Sequence, residues 1–226
     1  LSNVEACIDP IPADSNSRVL SFLPVCHVYE RMLHYLYFYL GCSIHFAESM
    51  DTVGDNIREV KPHVFTAVPR LIEKVFDKIM AKGDDLTGIK RKLVFWAVDL
   101  ADSYDPVKRS AWYNLKLGIA RKLIFSKWRE GLGGNLTVMV SGSAALQTRL
   151  TRMFAAAEMP VMEGYGLTET SPVISVCDVR NGGFKIGTVG KIIQNVEVKI
   201  ATDGEILCKG PNIMMGYYKD EQQTKE

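Results

Sequence analysis

The stretch Arg18–Phe46 reads RVLSFLPVCHVYERMLHYLYFYLGCSIHF. Its first six residues, Arg18 to Leu23, form a short apolar run halted by Pro24, which suits a strand. From His27 to Leu40 the side chains are apolar nearly all round and the run stops at Gly41, the pattern of a buried helix closed by a glycine. Cys42 to Phe46 makes a second strand candidate. The most apolar part, Met32 to Phe46, is about 15 residues long and contains His34, Gly41 and His45, whereas a membrane span needs about 20 apolar residues. It therefore reads as buried helix, turn and strand.

The same alternation continues outward. Thr52 to Val60 is a short helix candidate ended by Lys61-Pro62, and His63 to Val68 is a third strand. Pro69 stands where the first position of a helix tolerates it. Leu71, Ile72, Val75, Phe76, Ile79 and Met80 then follow with helical spacing until Gly83. Strands alternating with helices imply a parallel sheet covered by helices, an α/β fold. Residues 86–130 read as a helical insert broken at Asp105-Pro106, with Trp96, Trp112 and Trp128 expected to pack it.

Leu136 to Val140 is another buried strand, and Leu146, Leu150, Met153, Phe154 and Ala157 mark one face of the helix after it. Val161-Met162 opens a further short strand from whose end EGYGLTE departs. From Ile186 the pattern changes to alternation at Val196, Val198 and Ile200, a tight turn at Asp203-Gly204 and a return through Glu205–Lys209, which is a hairpin. The expected organisation is an α/β region over 1–185 and the start of an adjoining β-rich lobe over 186–226.

Composition narrows the function classes. The chain has 226 residues, 47% hydrophobic and 23% charged, and a net charge of +1. That balance excludes a broad electrostatic grip on nucleic acid. Five cysteines lie scattered without a CxxC pair, which argues against a zinc site and a disulfide scaffold and favours a reducing, cytoplasmic setting. The first residues, LSNVEACIDP, do not read as a signal peptide. The chain begins without methionine and ends on the polar, helix-like KDEQQTKE, so it is expected to be a piece of a longer protein.

Two segments follow predicted parallel strands, where open α/β sheets bind ligands. Ser141-Gly142-Ser143-Ala144-Ala145 is built of small residues that let a flat ligand approach the backbone, and amides before a helix donate to anions. It reads equally as a small-residue turn feeding a helix. Glu163–Pro172, EGYGLTETSP, is more telling. Gly164 and Gly166 free the backbone around Tyr165, whose flat face suits stacking on a base. Thr168 offers a hydroxyl to a phosphate oxygen, and Glu169 a hard oxygen ligand for magnesium, which binds through one or two carboxylates plus substrate phosphates. The residues alone leave this segment open between a nucleotide–magnesium site and an ordinary loop.

The string GYGLTETSP, preceded by SGSAAL and followed by GTVGK and GEILCKGPNIMMGYYKD, resembles the adenylate-forming superfamily in order and spacing over essentially the whole chain. Within it, LPVCHVYER (Leu23–Arg31) and KLIFSKWREGLGGNLTVMVSGSAAL (Lys122–Leu146) resemble long-chain fatty-acid–CoA ligases. The resemblance implies part of the large domain of such an enzyme. It implies activation of a fatty acid by ATP and Mg²⁺ to an acyl-adenylate, and then transfer to coenzyme A. It makes Glu169 the magnesium-binding and Thr168 the phosphate-contacting residue, and sets His27 near the reacting carboxylate, although His27 also reads as a structural helix-start residue. Glu163, Gly164 and Tyr165, continued by Gly166 and Leu167, take the adenine-contacting positions, and Gly142, Ser143 and Ala144 lie beside adenine and acyl group. Gly210 and Gly216 are assigned to backbone structure.

The superfamily's TSGTTGxPKG phosphate loop is expected upstream of Leu1. Its ribose-binding aspartate, hinge and small C-terminal domain with a catalytic lysine are expected downstream of Glu226. Ser143 and Ala145 replace the glycine and proline common in SGGAPL. Two other functions remain beside the ligase: a non-catalytic fragment that binds nucleotide or acyl ligand, and an amino-acid-activating adenylation domain. The partners implied are the small molecules fatty acid, ATP and coenzyme A. A lipid substrate also admits peripheral membrane contact, although no basic amphipathic helix declares itself in the sequence.

Overall fold

Val19, Val64, Val138, Val140 and Met162 are buried in one hydrophobic cluster, and their chain neighbours Leu20, Phe65, Met139 and Val161 in another. Successive strand side chains point to opposite faces, so these residues must form a sheet covered on both sides. The computed structural model describes residues 1–225 and contains that sheet.

Its strands are β1 (Arg18–Ser21), β2 (Ser43–Phe46), β3 (Val64–Ala67), β4 (Val138–Ser141), β5 (Val161–Gly166), β6 (Val173–Val176) and β7 (Lys191–Ile192), in the spatial order β2-β1-β3-β4-β5-β6-β7. The first five are parallel, and β6 and β7 are antiparallel additions. The sheet is thus mixed rather than wholly parallel, and it runs past residue 186 through β7. A separate two-stranded hairpin joins β8 (Glu197–Ile200) to β9 (Ile206–Lys209).

Helices α1 (Ser2–Cys7) and α2 (Val28–Leu40) cover one face. The other face carries α3 (Val53–Val60), α4 (Pro69–Asp84), α5 (Gly88–Asp102), α6 (Ala111–Ala120), a π turn (Arg121–Phe125), α7 (Ser126–Gly131) and α8 (Thr148–Ala156). The chain steps from β1 outward to β2 through α2, then back across to β3 through α3. A right-handed crossover demands that these two helices lie on opposite faces, and they do. A short α9 (Glu221–Lys225) follows the hairpin, and the last residue of the tail expected to be helical lies outside the described residues.

Helix α2 starts and stops where its sequence says. His27 is its N-cap, with Nδ1 accepting the Tyr29 N–H at 3.2 Å, and Gly41 closes it in the left-handed region at φ 72°. It is not buried all round, however: Tyr35, Phe38 and Tyr39 are 50–68% exposed. The apolar pattern therefore overstated its burial: Met32, Leu33, Leu36 and Tyr37 are buried toward the sheet, while Tyr35, Phe38 and Tyr39 lie on the outer side. Gly83 does not end α4, which continues to Asp84. A Cβ there would sit 3.0 Å from Val94 Cγ1, so the glycine lets α4 approach α5 closely. Trp128 packs as expected and is buried, whereas Trp112 is 65% exposed.

Candidate active site

A cavity of about 280 Å³ lies between α2 and the sheet, beyond the carboxyl ends of β4 and β5. Its lining divides by chemistry. Cys7 at the end of α1, Ile11 after it, Met32, Leu33 and Leu36 of α2, and Val140 of β4 make a buried apolar part. His27, Ser143, Leu167 and Thr168 line the exposed part, with half-buried Tyr165 and Glu169. Among the described residues lining the cavity, Glu169 is the one carboxylate. Such a space suits an amphiphile with an apolar body and a polar head.

The turn after β4 splits its three expected residues. Gly142 is buried and lines the cavity; a Cβ there would lie 3.2 Å from the Tyr29 ring. The Tyr29 hydroxyl in turn donates to the Val140 carbonyl at 3.3 Å, and burial raises its phenol well above the ordinary range. Ser143 also lines the cavity, and its φ of 71° explains physically why a glycine suits this position. Ala144 is exposed and stands outside the lining. Ser141 Oγ, at the end of β4, is buried without a hydrogen-bond partner among the described residues.

Glu163–Gly166 does not leave the sheet as a loop. It extends β5, and Gly164 and Tyr165 pair with Val176 and Ser175 of β6. Sequence reasoning missed the four-residue strand Val173–Val176, which returns antiparallel beside β5 directly after Pro172. Gly164, Tyr165 and Gly166 line the cavity, but the Glu163 carboxylate does not. It accepts the Thr151 hydroxyl at 3.0 Å and the Leu146 N–H at 3.4 Å, which ties α8 to β5. Gly166 is obligatory, since a Cβ would collide with the Pro172 carbonyl.

Thr168 begins a 3-10 turn, Thr168–Thr170. The Leu167 N–H reaches Thr170 Oγ1 at 2.9 Å and holds that turn. Glu169 Oε1 accepts the Tyr217 hydroxyl at 2.9 Å, and its carbonyl accepts the Met214 N–H at 2.8 Å. The segment after β9 is therefore latched onto the site. Sequence reasoning missed Tyr217, although it stands in the GYYKD string. It also missed Tyr29, Met32, Leu33 and Leu36, whose helical spacing beside His27 was the available signal. His27 lines the cavity at the start of α2; with Nδ1 occupied as the cap acceptor, the neutral ring carries its proton on Nε2 and is a donor there.

A second polar group lies under α2. Glu30 is fully buried, and its Oε1 is 2.5 Å from Ser21 Oγ, which is 2.8 Å from His34 Nε2. Burial raises the Glu30 carboxyl above its ordinary value, with Ser21 and His34 pulling it partly back. The cluster joins α2 to β1 and does not line the cavity.

Comparison with known proteins gives a consistent result. The family described as "AMP-binding enzyme" matches residues 1–218. The chain is 32% identical over 213 residues to the long-chain-fatty-acid–CoA ligase FadD15 of Mycobacterium bovis, covering 92% of this chain and 35% of that protein. It is 32% identical over 241 residues to human long-chain-fatty-acid–CoA ligase 1, covering 98% and 32%. It thus spans about a third of the length of these relatives. Among solved structures, a long-chain-fatty-acid–CoA ligase (FadD1) of Archaeoglobus fulgidus superposes with a TM-score of 0.65 at 18% identity, over 100% of this chain and 40% of that one. The N-terminal domain of FACL13 of Mycobacterium tuberculosis gives 0.65 at 17%, over 99% and 48%. At those identities the structures establish the fold alone.

Proposed function

Because the chain belongs to the AMP-binding enzyme family, we propose that it forms the acyl- and nucleotide-binding part of a long-chain fatty-acid–CoA ligase. The observation that carries this reading is the cavity itself, apolar beneath α2 and polar at Tyr165–Glu169. An amino-acid-activating site would need an acid to hold the substrate amine. The one carboxylate among the described lining residues, Glu169, stands at the polar end, which favours a fatty acid.

In the proposed reaction a fatty carboxylate oxygen attacks the α-phosphorus of ATP, and the bond to the β-phosphate breaks to release pyrophosphate. The coenzyme A thiolate then attacks the acyl carbon, and AMP leaves with the bonding electrons. The chain's contribution to both steps is position and charge. Met32, Leu33 and Leu36 hold the acyl chain, and Tyr165 offers its face to adenine. Thr168 donates its hydroxyl to a phosphate oxygen, and His27 directs Nε2–H at the carboxylate.

A single half-exposed carboxylate fits magnesium, which binds through one or two carboxylates and completes its shell with phosphates and water. Glu169 would hold it, and the ion would neutralise charge on the phosphates. The test is ATP–pyrophosphate exchange by an enzyme carrying this chain within the full length of its relatives, with palmitate or amino acids as substrate. Palmitate-dependent exchange that falls about 100-fold or more in Glu169→Gln is expected. Exchange driven by amino acids, or an undiminished variant, overturns the reading.

A further inference from the structure

Between Pro106 and Arg129 the sequence contains Lys108, Arg109, Lys116, Arg121, Lys122, Lys127 and Arg129, and no Asp or Glu. Arg121 and Arg129 are taken up by Glu158, at 3.2 and 2.5 Å. Lys127 pairs with the exposed Glu130 at 3.0 Å, and the remaining four are Lys108, Arg109, Lys116 and Lys122. Lys108, Arg109, Lys122 and Lys127 are exposed, and the half-buried Lys116 ammonium stands 5.3 Å over the Trp112 ring.

Alongside them runs an uncovered apolar stripe. Trp112, Leu115, Ile119 and Leu123 follow at spacings of three, four and four residues, one face of α6 continued into the π turn, and are 45–65% exposed. Val107, just before the helix, is 83% exposed. The opposite face, with Leu117, Ala120 and Phe125, is buried in the core, so the stripe is not needed for packing. The lysines flank it: Lys116 is one turn from Trp112, and Lys122 adjoins Leu123.

We propose that this face of α6 and the π turn docks on an anionic lipid bilayer. A helix that shows a tryptophan–leucine stripe bordered by lysines lies in the plane of a membrane interface. Its apolar side chains enter the acyl boundary while the ammonium groups stay among the headgroups. The charge decides between occupants. A second copy of this chain would bring the same basic residues against themselves, whereas anionic headgroups complement them. The patch lies on the side of the sheet opposite the cavity, so it holds the protein at the surface and is independent of the proposed catalysis.

The test is co-sedimentation of the 226-residue chain with phosphatidylcholine vesicles, with and without about 30 mol % phosphatidylserine. Partition onto the anionic vesicles is expected, weak on neutral ones and falling with salt. Each basic residue near an anionic surface contributes about 1 kcal/mol, so Lys116→Gln with Lys122→Gln should weaken partition about thirtyfold. Trp112→Ser with Leu123→Ser should weaken it at least as much. Trp112, Lys122 and Leu123 are exposed and Lys116 is half-buried, so unchanged melting temperatures will show that the variants fold. Absence of partition, or partition indifferent to both pairs of substitutions, overturns the proposal. So does a concentration-dependent dimer that Trp112→Ser abolishes without any lipid binding, which would make the face an interface between copies.

Discussion

Tyr217 donates its hydroxyl to Glu169 Oε1 at 2.9 Å, joining residues 48 apart in sequence. With Met214 N–H on the Glu169 carbonyl at 2.8 Å, this fixes the segment after β9 against the turn that ends the cavity. The phenol is held above its ordinary value first by this hydrogen bond. The contact is exposed, so its effect is local. Tyr217→Phe should speed amide exchange over residues 214–219, read by mass spectrometry, and leave the global unfolding midpoint unchanged. Unchanged exchange there would show that the hydroxyl does not hold the segment.

Gly166 meets a harder limit. A Cβ there would clash with the Pro172 carbonyl, where β5 and β6 meet at an irregular register. Gly166→Ala must displace backbone rather than a side-chain tip, so a loss of about 3 kcal/mol is expected in urea unfolding. Gly134→Ala is the comparison at a position with open space around it, and its cost should reflect backbone conformation alone. Equal losses for the two variants would mean that β6 can shift.

The Glu30–Ser21–His34 cluster makes stability depend on pH. Burial raises the folded Glu30 carboxyl above 4.5, so the native state holds that proton more tightly than the unfolded chain. The contribution is therefore complete below about 4.5 and is lost as pH rises through the folded value. Glu30→Gln removes this dependence. Urea unfolding at about pH 5 and pH 8 should show the variant gaining on the wild type as pH rises. Parallel stabilities at the two pH values would exclude a raised Glu30.

The cysteines should separate by burial. The Cys7 thiol is pushed up to about 12 by desolvation, and Cys7 is buried in the cavity wall. Cys26 is exposed just before α2. Iodoacetamide at about pH 8 should modify Cys26 and spare Cys7 until the chain is denatured, because the thiolate is the reactive form. Prompt alkylation of Cys7 in the native protein would mean that the cavity opens to reagent.

The sheet was legible because its strands are buried on both faces, and Val64–Ala67 and Val138–Ser141 therefore read as continuous apolar runs. Capping signals were equally plain at Pro69 and Gly41. The antiparallel β8–β9 hairpin was legible from its alternation and its Asp203-Gly204 turn, but β6 and β7 were not. Gly164 and Gly166 look like loop residues, yet they sit in β5, and at Gly166 the Pro172 carbonyl occupies the space a side chain would need. The reversal through Pro172 has no counterpart in a periodicity pattern.

The site was read best where chemistry is local. Gly142, Tyr165, Thr168 and Glu169 come together around the cavity, as their strings suggested. Glu163 was read as part of the same string, but its carboxylate is taken up by the Thr151 hydroxyl of α8. Ala144 was one residue too far along its turn. Tyr217 and Cys7 reach the site only through tertiary packing, which spacing along the chain does not record.

We propose that the cavity under α2 is a fatty acyl-adenylate site. The most direct test is a thermal-shift titration of this chain with a non-hydrolysable palmitoyl-adenylate mimic, beside a matched aminoacyl-adenylate. A ligand that binds only the folded state stabilises it by about 2.7 kcal/mol at a hundredfold excess over Kd. The account predicts a saturable rise in melting temperature for the palmitoyl compound, reduced in Tyr165→Ala and absent with the aminoacyl compound. No rise, or an equal rise with both compounds that Tyr165→Ala leaves intact, would contradict it.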